Sequence, residues 1–592
     1  MSDFGILHIH MKQYWTTWRE LVLDALEKIG DGAVNRDQLA EVLLVETPPD
    51  TTKGDIAFPM FPYARVLRRN PAEIAGGVAA VINDGMTSSD GSGTAAAAGP
   101  YVNVFLDRPS VTAAVVNSVL SAGDRCGDGN ALAGRRVMIE FSCPNTNKPL
   151  HLGHLRNDAL GESVARMLRA AGAEVRKVNL INDRGIHICK SMAAYRRFGE
   201  GRTPEEGERK SDHFVGDFYV RYAEWSKNDP SAETEARAML KAWEDGDDDT
   251  HALWLTMNRW AIDGIEETYR RTGITFDQTY YESETYRLGR DEILKGLEDG
   301  VFYRDPEGTV WVDLTDIDLD KKVLLRGDGT SLYLTQDIGT AIRRHEDWPF
   351  DHLIYVVASE QRYHFQVLFE VLRRLGKEWA GSLYHLAYGM VNLPDGKMKS
   401  REGTVVDADD LIDQLTDLAE EEIVSKGRAE HVSDVRATAE RIALAALHYY
   451  LLQTGPVKDM VFNPEESLSF SGNTGPYLQY LGARVSSMLR KQKAPESVEP
   501  RMPEVEDEWA LVHRLAGYPN VVIDAATAHN PSMLAGYLYE SAKVFSRFYH
   551  DHPIAVAEDP DQRAFRLGLS RAVMHMMRHG LEMLNIPFVD AM

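Results

Sequence analysis

The sequence predicts an α/β protein built on a parallel sheet, with a small α+β domain ahead of it and an all-α helical bundle behind. Three observations predict this. Apolar strands alternate with amphipathic helices from Arg135 onward, a strand-like alternation precedes them at Tyr101–Leu106, and helical periodicity dominates after Arg441. At 592 residues the chain is several times an ordinary domain, and the changes of texture set expected boundaries at 1–128, 129–440 and 441–592.

Within the first region, Thr87 to Pro100 has turn and low-complexity character and Gly123 to Asn130 reads as a linker. The first βαβ unit follows. Arg136–Phe141 reads as a buried strand, Leu155, Leu160, Val164 and Leu168 form a helical stripe, Gly172 can cap that helix, and Val175–Ile181 resumes a strand. Residues 202–249 are acidic and helix-rich with Pro and Gly breaks, which suits an insertion on a sheet-based domain. Val310–Leu325 is strand-rich, and Leu353–Ala358 reads as a fully buried strand of the same sheet. No internal repeat is found.

A formal net charge of −25 argues against coating nucleic acid through overall charge, so such a partner would meet local patches. Arg65, Arg68 and Arg69 form one cluster, and Arg484, Arg490, Lys491 and Lys493 another; either alone reads as a solvated helix face. Cys126, Cys143 and Cys189 are too few and scattered for a disulfide framework or a four-cysteine zinc site, which points to a reducing, cytoplasmic compartment without zinc. No apolar run approaches the roughly 20 residues of a bilayer span, and Met1–Glu20 lacks the layout of a secretory leader.

Chemistry concentrates at His151-Leu-Gly-His154, which follows a predicted strand and opens a predicted helix. Free backbone N–H groups and the positive end of the dipole favour phosphate there. His151 and His154 become donors to phosphate oxygens, Gly153 leaves room for a base or ribose, and Lys148 adds positive charge one turn upstream. Neither a P-loop nor a dinucleotide fingerprint competes. A second candidate, Gly396-Lys-Met-Lys-Ser-Arg401 between Pro394 and Gly403, has the make-up of a cationic lid that meets charge developing in phosphoryl chemistry. Tyr333 and Asp337 are four apart, so on a helix they share a face, and a carboxylate beside a ring suits a planar guanidinium. Tyr477 and Tyr480 precede the basic stretch of 484–493, a pattern that suits stacking on unpaired bases.

The run Glu140-Phe-Ser-Cys-Pro-Asn-Thr-Asn-Lys-Pro-Leu-His-Leu-Gly-His-Leu-Arg-Asn157 resembles a signature of the class I aminoacyl-tRNA synthetases, and within them of the arginine-specific branch. Ser331–Gly339, Tyr355–His364 and Phe470–Tyr480 are similar to further segments of that family, and the likeness covers essentially the whole chain, with a weaker match around Lys53-Gly-Asp55 and Asn70–Ile74. The resemblance implies a Rossmann-like catalytic domain with an H-x-G-H site, an N-terminal tRNA-contacting domain and a C-terminal helical-bundle anticodon-binding domain. It implies L-arginine, ATP with Mg²⁺ as its substrate complex, and tRNA(Arg) as partners of a monomer with no membrane association. By the same resemblance Glu140 and Asp337 supply carboxylates to arginine, Tyr333 packs against it, and Asn145 and Gln361 hold its polar ends. His151, Gly153, His154, Met390, Lys397 and Lys399 take ATP, with His151, His154, Lys148, Lys397 and Lys399 as the catalytic set; Tyr477 and Tyr480 take tRNA, and no resident metal is implied. Two departures stand out. Asn182-Asp183-Arg184-Gly185-Ile-His187 differs from the family's usual segment and leaves Arg184 and His187 without an assigned role. The lid, Lys397-Met-Lys399-Ser-Arg401, lacks one residue of a full K-M-S-K-S, which leaves open whether Lys397 or Lys399 meets the α-phosphate.

Overall fold

The computed structural model describes residues 11–30, 35–46, 48, 51–85, 93–327, 329, 332–392, 394 and 406–592. Residues 87–92, Ser331 and the cationic segment with Lys397, Lys399 and Arg401 lie outside the described residues. The chain gathers into two compact units, one of residues 1–129, 481–524 and 537–580, the other of 130–480, 525–536 and 581–592.

In the first unit β1 (Ile56–Pro59), β2 (Gly93–Ala98) and β3 (Tyr101–Leu106) form an antiparallel sheet in the order β1-β3-β2. The alternation read at Tyr101–Leu106 is thus its central strand. Gly93–Ala98, placed by composition in a turn-rich stretch, is also a strand: all six residues pair in register with β3, and the ladder overrides a weak local preference. The buried carboxylate of Asp55 accepts hydrogen bonds from the Leu106 backbone N–H (2.9 Å), the Arg108 guanidinium (3.0 Å) and the Trp509 indole N–H (3.1 Å). Three donors offset the cost of burying that charge and make Asp55 a structural residue. The stretch expected to be a linker is packed instead. Cys126 is buried, and Asp124 and Asp128 bond His575 (2.7 Å) and His579 (3.1 Å).

The second unit begins with β4 (Arg136–Glu140), β5 (Glu174–Ile181) and β6 (Gln278–Tyr281), continues with β7 (Tyr303–Arg304), β8 (Val310–Val312) and β9 (Lys322–Leu325), and then adds β10 (His352–Ala358) and β11 (Leu383–Tyr388). Five of these form one parallel sheet in the order β11-β10-β4-β5-β6. Val310–Leu325 does not join it, contrary to the sequence expectation, because β7, β8 and β9 form a separate antiparallel sheet. Their short connections permit only antiparallel returns, whereas a parallel neighbour needs a crossover of about a dozen residues or more.

Helix α1 (Leu152–Ala170) makes the β4–β5 crossover; its bounds enclose the predicted stripe, and Gly172 beyond it has φ +99°. The acidic region supplies α2 (Ser211–Asn228), α3 (Ser231–Asp245) and the start of α4 (Asp248–Thr272), with an aromatic core around Phe214, Phe218, Tyr222 and Trp225. From β4 the chain builds outward to β5 and β6 on one side, and β10 and β11 fill the other. A crevice therefore opens beyond the carboxyl ends of β4 and β10, where α/β sheets bind ligands.

One helix contact fixes a wall of that crevice. Helices α5 (Leu288–Glu298) and α6 (Tyr333–Asp347) meet through Gly289 and Gly339. A Cβ on Gly339 would lie 2.2 Å from the Gly289 nitrogen, and one on Gly289 would lie 1.7 Å from the Thr335 carbonyl oxygen. These contacts are with backbone, so no side chain can yield. Gly339→Ala is expected to cost about 1–3 kcal/mol through forced helix displacement and to shift Asp337 two residues away. The check is a thermal melt with an arginine-binding measurement; an unchanged midpoint would show that the helices have slack.

Candidate active site

The crevice holds a cavity of about 480 Å³ whose lining includes Glu140, Asn182, Tyr333, Asp337, Arg344, Tyr355, Gln361 and His364. Glu140 closes β4; Tyr333 and Asp337 stand on the first turns of α6; Gln361 precedes α7 (Arg362–Arg374) just after β10. The sheet order thus brings together four of the five residues proposed for one small molecule. Tyr333 is 73% exposed, which excludes a core role and puts its ring at the rim. Asn145 does not line this cavity; its backbone bridges to Asn182, which does.

Two neighbours escaped the sequence reading. The fully buried guanidinium of Arg344 pairs with the Glu140 carboxylate and lies 5.1 Å from the Tyr280 ring centre. Burial pushes the Glu140 carboxyl up while Arg344 pulls it back; burial likewise opposes the charge on Arg344, but Glu140 holds it cationic. The net charge of the Glu140 corner is therefore near zero. Arg344 follows Asp337 by seven residues, two helical turns along one face, so its spacing was a usable signal. The second neighbour is His364, whose Nε2 donates to Asp337 Oδ2 at 2.6 Å.

Between Glu140 and Asn145 the chain turns through Ser142 (φ 73°) and Cys143 (φ 50°). Left-handed backbone costs a side-chain-bearing residue about 1–2 kcal/mol. Three hydrogen bonds hold it: Ser142 N–H to Asn157 Oδ1 (2.6 Å), Cys143 N–H to Asn179 Oδ1 (3.0 Å) and Ser142 Oγ with Tyr269 Oη (2.6 Å).

His151 and His154 form a reciprocal cap on α1. His151 Nδ1 accepts the Gly153 N–H (3.1 Å) and His154 Nδ1 accepts the His151 N–H (3.1 Å), with ring centres 3.9 Å apart. With Nδ1 accepting, each neutral ring must carry its proton on Nε2. Burial, then the charge of Lys148, lowers His151 to about 4; burial, then His151 and Lys148, holds His154 well below the usual imidazole range. The turn therefore presents two neutral Nε2–H donors beside one ammonium, and burial lowers Lys148 as well. A Cβ on Gly153 would come within 3.0–3.1 Å of the His151 ring, so the bare Cα makes room for that imidazole. Arg156, in the same signature, is buried and donates to the carbonyls of Pro456 (2.9 Å) and Lys458 (2.8 Å), with burial lowering it to about 10.

The chain returning from the cationic segment is sewn to this turn. Leu152 N–H donates to the Val406 carbonyl (3.1 Å) and Ala408 N–H to the Leu150 carbonyl (3.0 Å). Asp407 then caps α8 (Ala408–Ser425). Next to it, Asp212, His213 and Asp409 place ligand-type atoms within 4.8 Å of one another. Lys210 Nζ lies 2.7 Å from Asp409 and 3.1 Å from Asp212, and Arg271 lies 3.5 Å from Asp409, so the protein's own cations pair with both carboxylates of this cluster. Lys210 ties α2 to the start of α8, a pairing across 199 residues.

The remaining candidates divide. Met390 is 38% exposed and its N–H donates to Asp459 Oδ1 (2.7 Å). Arg184 lies 3.9 Å from the Tyr286 ring centre and pairs with Glu244 (3.1 Å), and His187 Nδ1 bonds Tyr219 Oη (3.2 Å), so these two residues of the departing 182–187 segment are bound to the helical insertion. Tyr477 and Tyr480 are half-buried on the helix Gly475–Lys491, with the Arg428 guanidinium 5.4 Å from the Tyr480 ring centre.

Comparisons agree along the chain. Residues 115–464 match the family of class I (R) tRNA synthetase catalytic domains, 478–592 the DALR anticodon binding domain, and 16–106 the arginyl tRNA synthetase N-terminal domain. An arginine–tRNA ligase of Treponema denticola is 54% identical, covering 98% of this chain and 100% of its own; that of Treponema pallidum is 52% identical over the same shares. The arginyl-tRNA synthetase structure of Thermus thermophilus superposes with a TM-score of 0.78 at 26% identity, covering 98% of this chain and 100% of that one.

The histidine geometry predicts that both rings are Nε2–H tautomers at pH 7 and that His151 stays neutral until pH falls towards about 4. Its pKa lies below the unfolded value of 6.5, so its share of stability is complete above 6.5 and is lost as pH falls through the folded value. Nitrogen chemical shifts of labelled histidines would test this; a His151 midpoint near 6.5, or a proton on Nδ1, would contradict the cap.

Proposed function

The chain belongs to the class I arginyl-tRNA synthetases, and from that premise we propose how its residues share the work of joining arginine to tRNA. It is an arginine–tRNA ligase of class I, an enzyme that uses ATP to activate arginine and charges tRNA with it. The observation that carries the division of labour is the cavity beyond β4 and β10, which holds one carboxylate, Asp337, beside an exposed Tyr333, while the other, Glu140, is neutralised from within by Arg344.

Arginine enters with its guanidinium towards Asp337 and Tyr333 and its polar end towards Gln361 and, past the cavity lining beside Asn182, towards Asn145. Glu140, shared with Arg344, orients the substrate without adding net charge. One oxygen of the arginine carboxylate attacks the α-phosphorus of Mg–ATP in line; the bond to the β-phosphate breaks, pyrophosphate leaves and arginyl-adenylate remains. The neutral Nε2–H groups of His151 and His154 hold phosphate oxygens while Lys148 and the lid lysines, Lys397 and Lys399, balance the charge that develops. Mg²⁺ arrives with ATP as part of the substrate. The 2′-hydroxyl of the terminal adenosine of tRNA(Arg) then attacks the activated carbonyl, AMP leaves, and no covalent enzyme intermediate forms.

We assign residues 1–128 to tRNA contact, 129–440 to catalysis and 441–592 to the anticodon, with Tyr477 and Tyr480 as stacking surfaces. The ATP contacts extend to Gly153 through its backbone and to Met390. We take the protein to act as a cytoplasmic monomer. Among the described residues no helix is long and apolar enough to cross a membrane.

Arginine-dependent ATP–pyrophosphate exchange, with and without tRNA, tests the reading. Exchange is expected only when tRNA(Arg) is bound, and its absence even with tRNA would reject the activity. Asp337→Ala should raise the arginine KM about 10²-fold with little change in the ATP KM, whereas Lys397→Ala and Lys399→Ala should slow adenylate formation. Equal shifts in both KM values for Asp337→Ala would show that the pocket is misassigned.

A further inference from the structure

Both carboxylates of the cavity have a partner within the protein, and the two pairs differ in kind. Glu140 and Arg344 are buried, with side-chain exposures of 7% and 1%, so the pair is part of the framework. Asp337 and His364 are 36% and 29% exposed and both line the cavity, so their pair faces whatever binds there. His364 is the hydrogen-bond partner that the described residues give the Asp337 carboxylate, at 2.6 Å.

A carboxylate only accepts hydrogen bonds, so the nitrogen facing it carries a proton whatever the charge of the ring. Nε2 of His364 is therefore a donor in either form. Each carboxylate oxygen has two lone pairs, and a forked guanidinium uses one on each oxygen. Oδ2 can keep its bond to His364 and still receive one prong, while Oδ1 receives the other. The two residues come from different helices, Asp337 from α6 and His364 from α7, so the bond also fixes the carboxylate to a second element. Without it, one terminal torsion would leave the carboxylate plane free to turn, and a planar fork loses more from that than a point charge does.

We propose that His364 is a positioning residue for substrate specificity: its Nε2–H holds the Asp337 carboxylate in the plane that accepts the two prongs of the arginine guanidinium. The proposal rests on the assignment of this cavity to arginine. His364 touches the carboxylate, not the reacting atoms, so its loss acts on arginine binding and leaves nucleotide binding alone.

The test is steady-state aminoacylation by the full chain with its tRNA. His364→Leu, which keeps bulk but removes the donor, is expected to raise the arginine KM about tenfold, to leave the ATP KM within about twofold, and to leave kcat nearly unchanged. His364→Gln, whose amide can donate from a similar distance, should recover most of the loss. Added to Asp337→Ala, His364→Leu should have no further effect on the arginine KM, because the group it positions is gone. The proposal is overturned if His364→Leu leaves the arginine KM unchanged while Asp337→Ala raises it, or if the two effects multiply. It is equally overturned if the arginine and ATP KM values rise together, the mark of general damage. If Asp337→Ala itself leaves the arginine KM unchanged, the assignment of the cavity fails first and takes the proposal with it.

Discussion

Four parallel pairs, Val137 to Glu140 against His352 to Tyr355, are the constraint on which the site depends. They join segments more than two hundred residues apart and make β4 the strand from which the sheet builds in both directions. Everything that meets substrate then follows from where these strands end. Glu140 terminates one and Gln361 follows the other, while α6 and α7 supply the carboxylate and the imidazole above them. No side chain in the cavity would have its neighbours if β10 paired elsewhere, and a slip of one residue would turn Glu140 to the opposite face of the sheet.

The electrostatics divide in the same economical way. At the nucleotide end the two imidazoles bind their own backbone through Nδ1 and stay neutral, so positive charge comes from lysines alone. At the amino-acid end an internal guanidinium cancels one of two carboxylates. Neutral rings at one end and an internal ion pair at the other limit the cost of keeping ionised groups in a sheltered crevice. The cluster of Lys210 with Asp212 and Asp409 follows the same rule away from the cavity.

Much of this was legible in the sequence because periodicity and capping are local properties. The stripe from Leu155 to Leu168 located α1 and its entry turn, and the four-residue spacing of Tyr333 and Asp337 put both on one helix face. Pairings between distant segments were not legible. Nothing near Glu140 announces that Arg344 will neutralise it, and the acceptor role of each Nδ1 emerges only when the turn at His151 is built. Gly93–Ala98 and Val310–Leu325 were misread for a related reason: strand partnership depends on the neighbour, and composition reports only the segment itself. The contact of Gly153 with the His151 ring was not legible either, because a missing side chain does not say which neighbour lies beside it.

The meeting of Gly289 with Gly339 carries an evolutionary consequence. Each glycine lies against the other helix's backbone, so no smaller neighbour elsewhere can compensate for a side chain at either position. A lineage cannot pass through an intermediate in which one changes first and the other adapts. Only a wider spacing of the two helices would admit a substitution, and one of those helices carries Tyr333 and Asp337. Two residues that touch no substrate thereby restrict the mutational paths by which the amino-acid pocket can be remodelled.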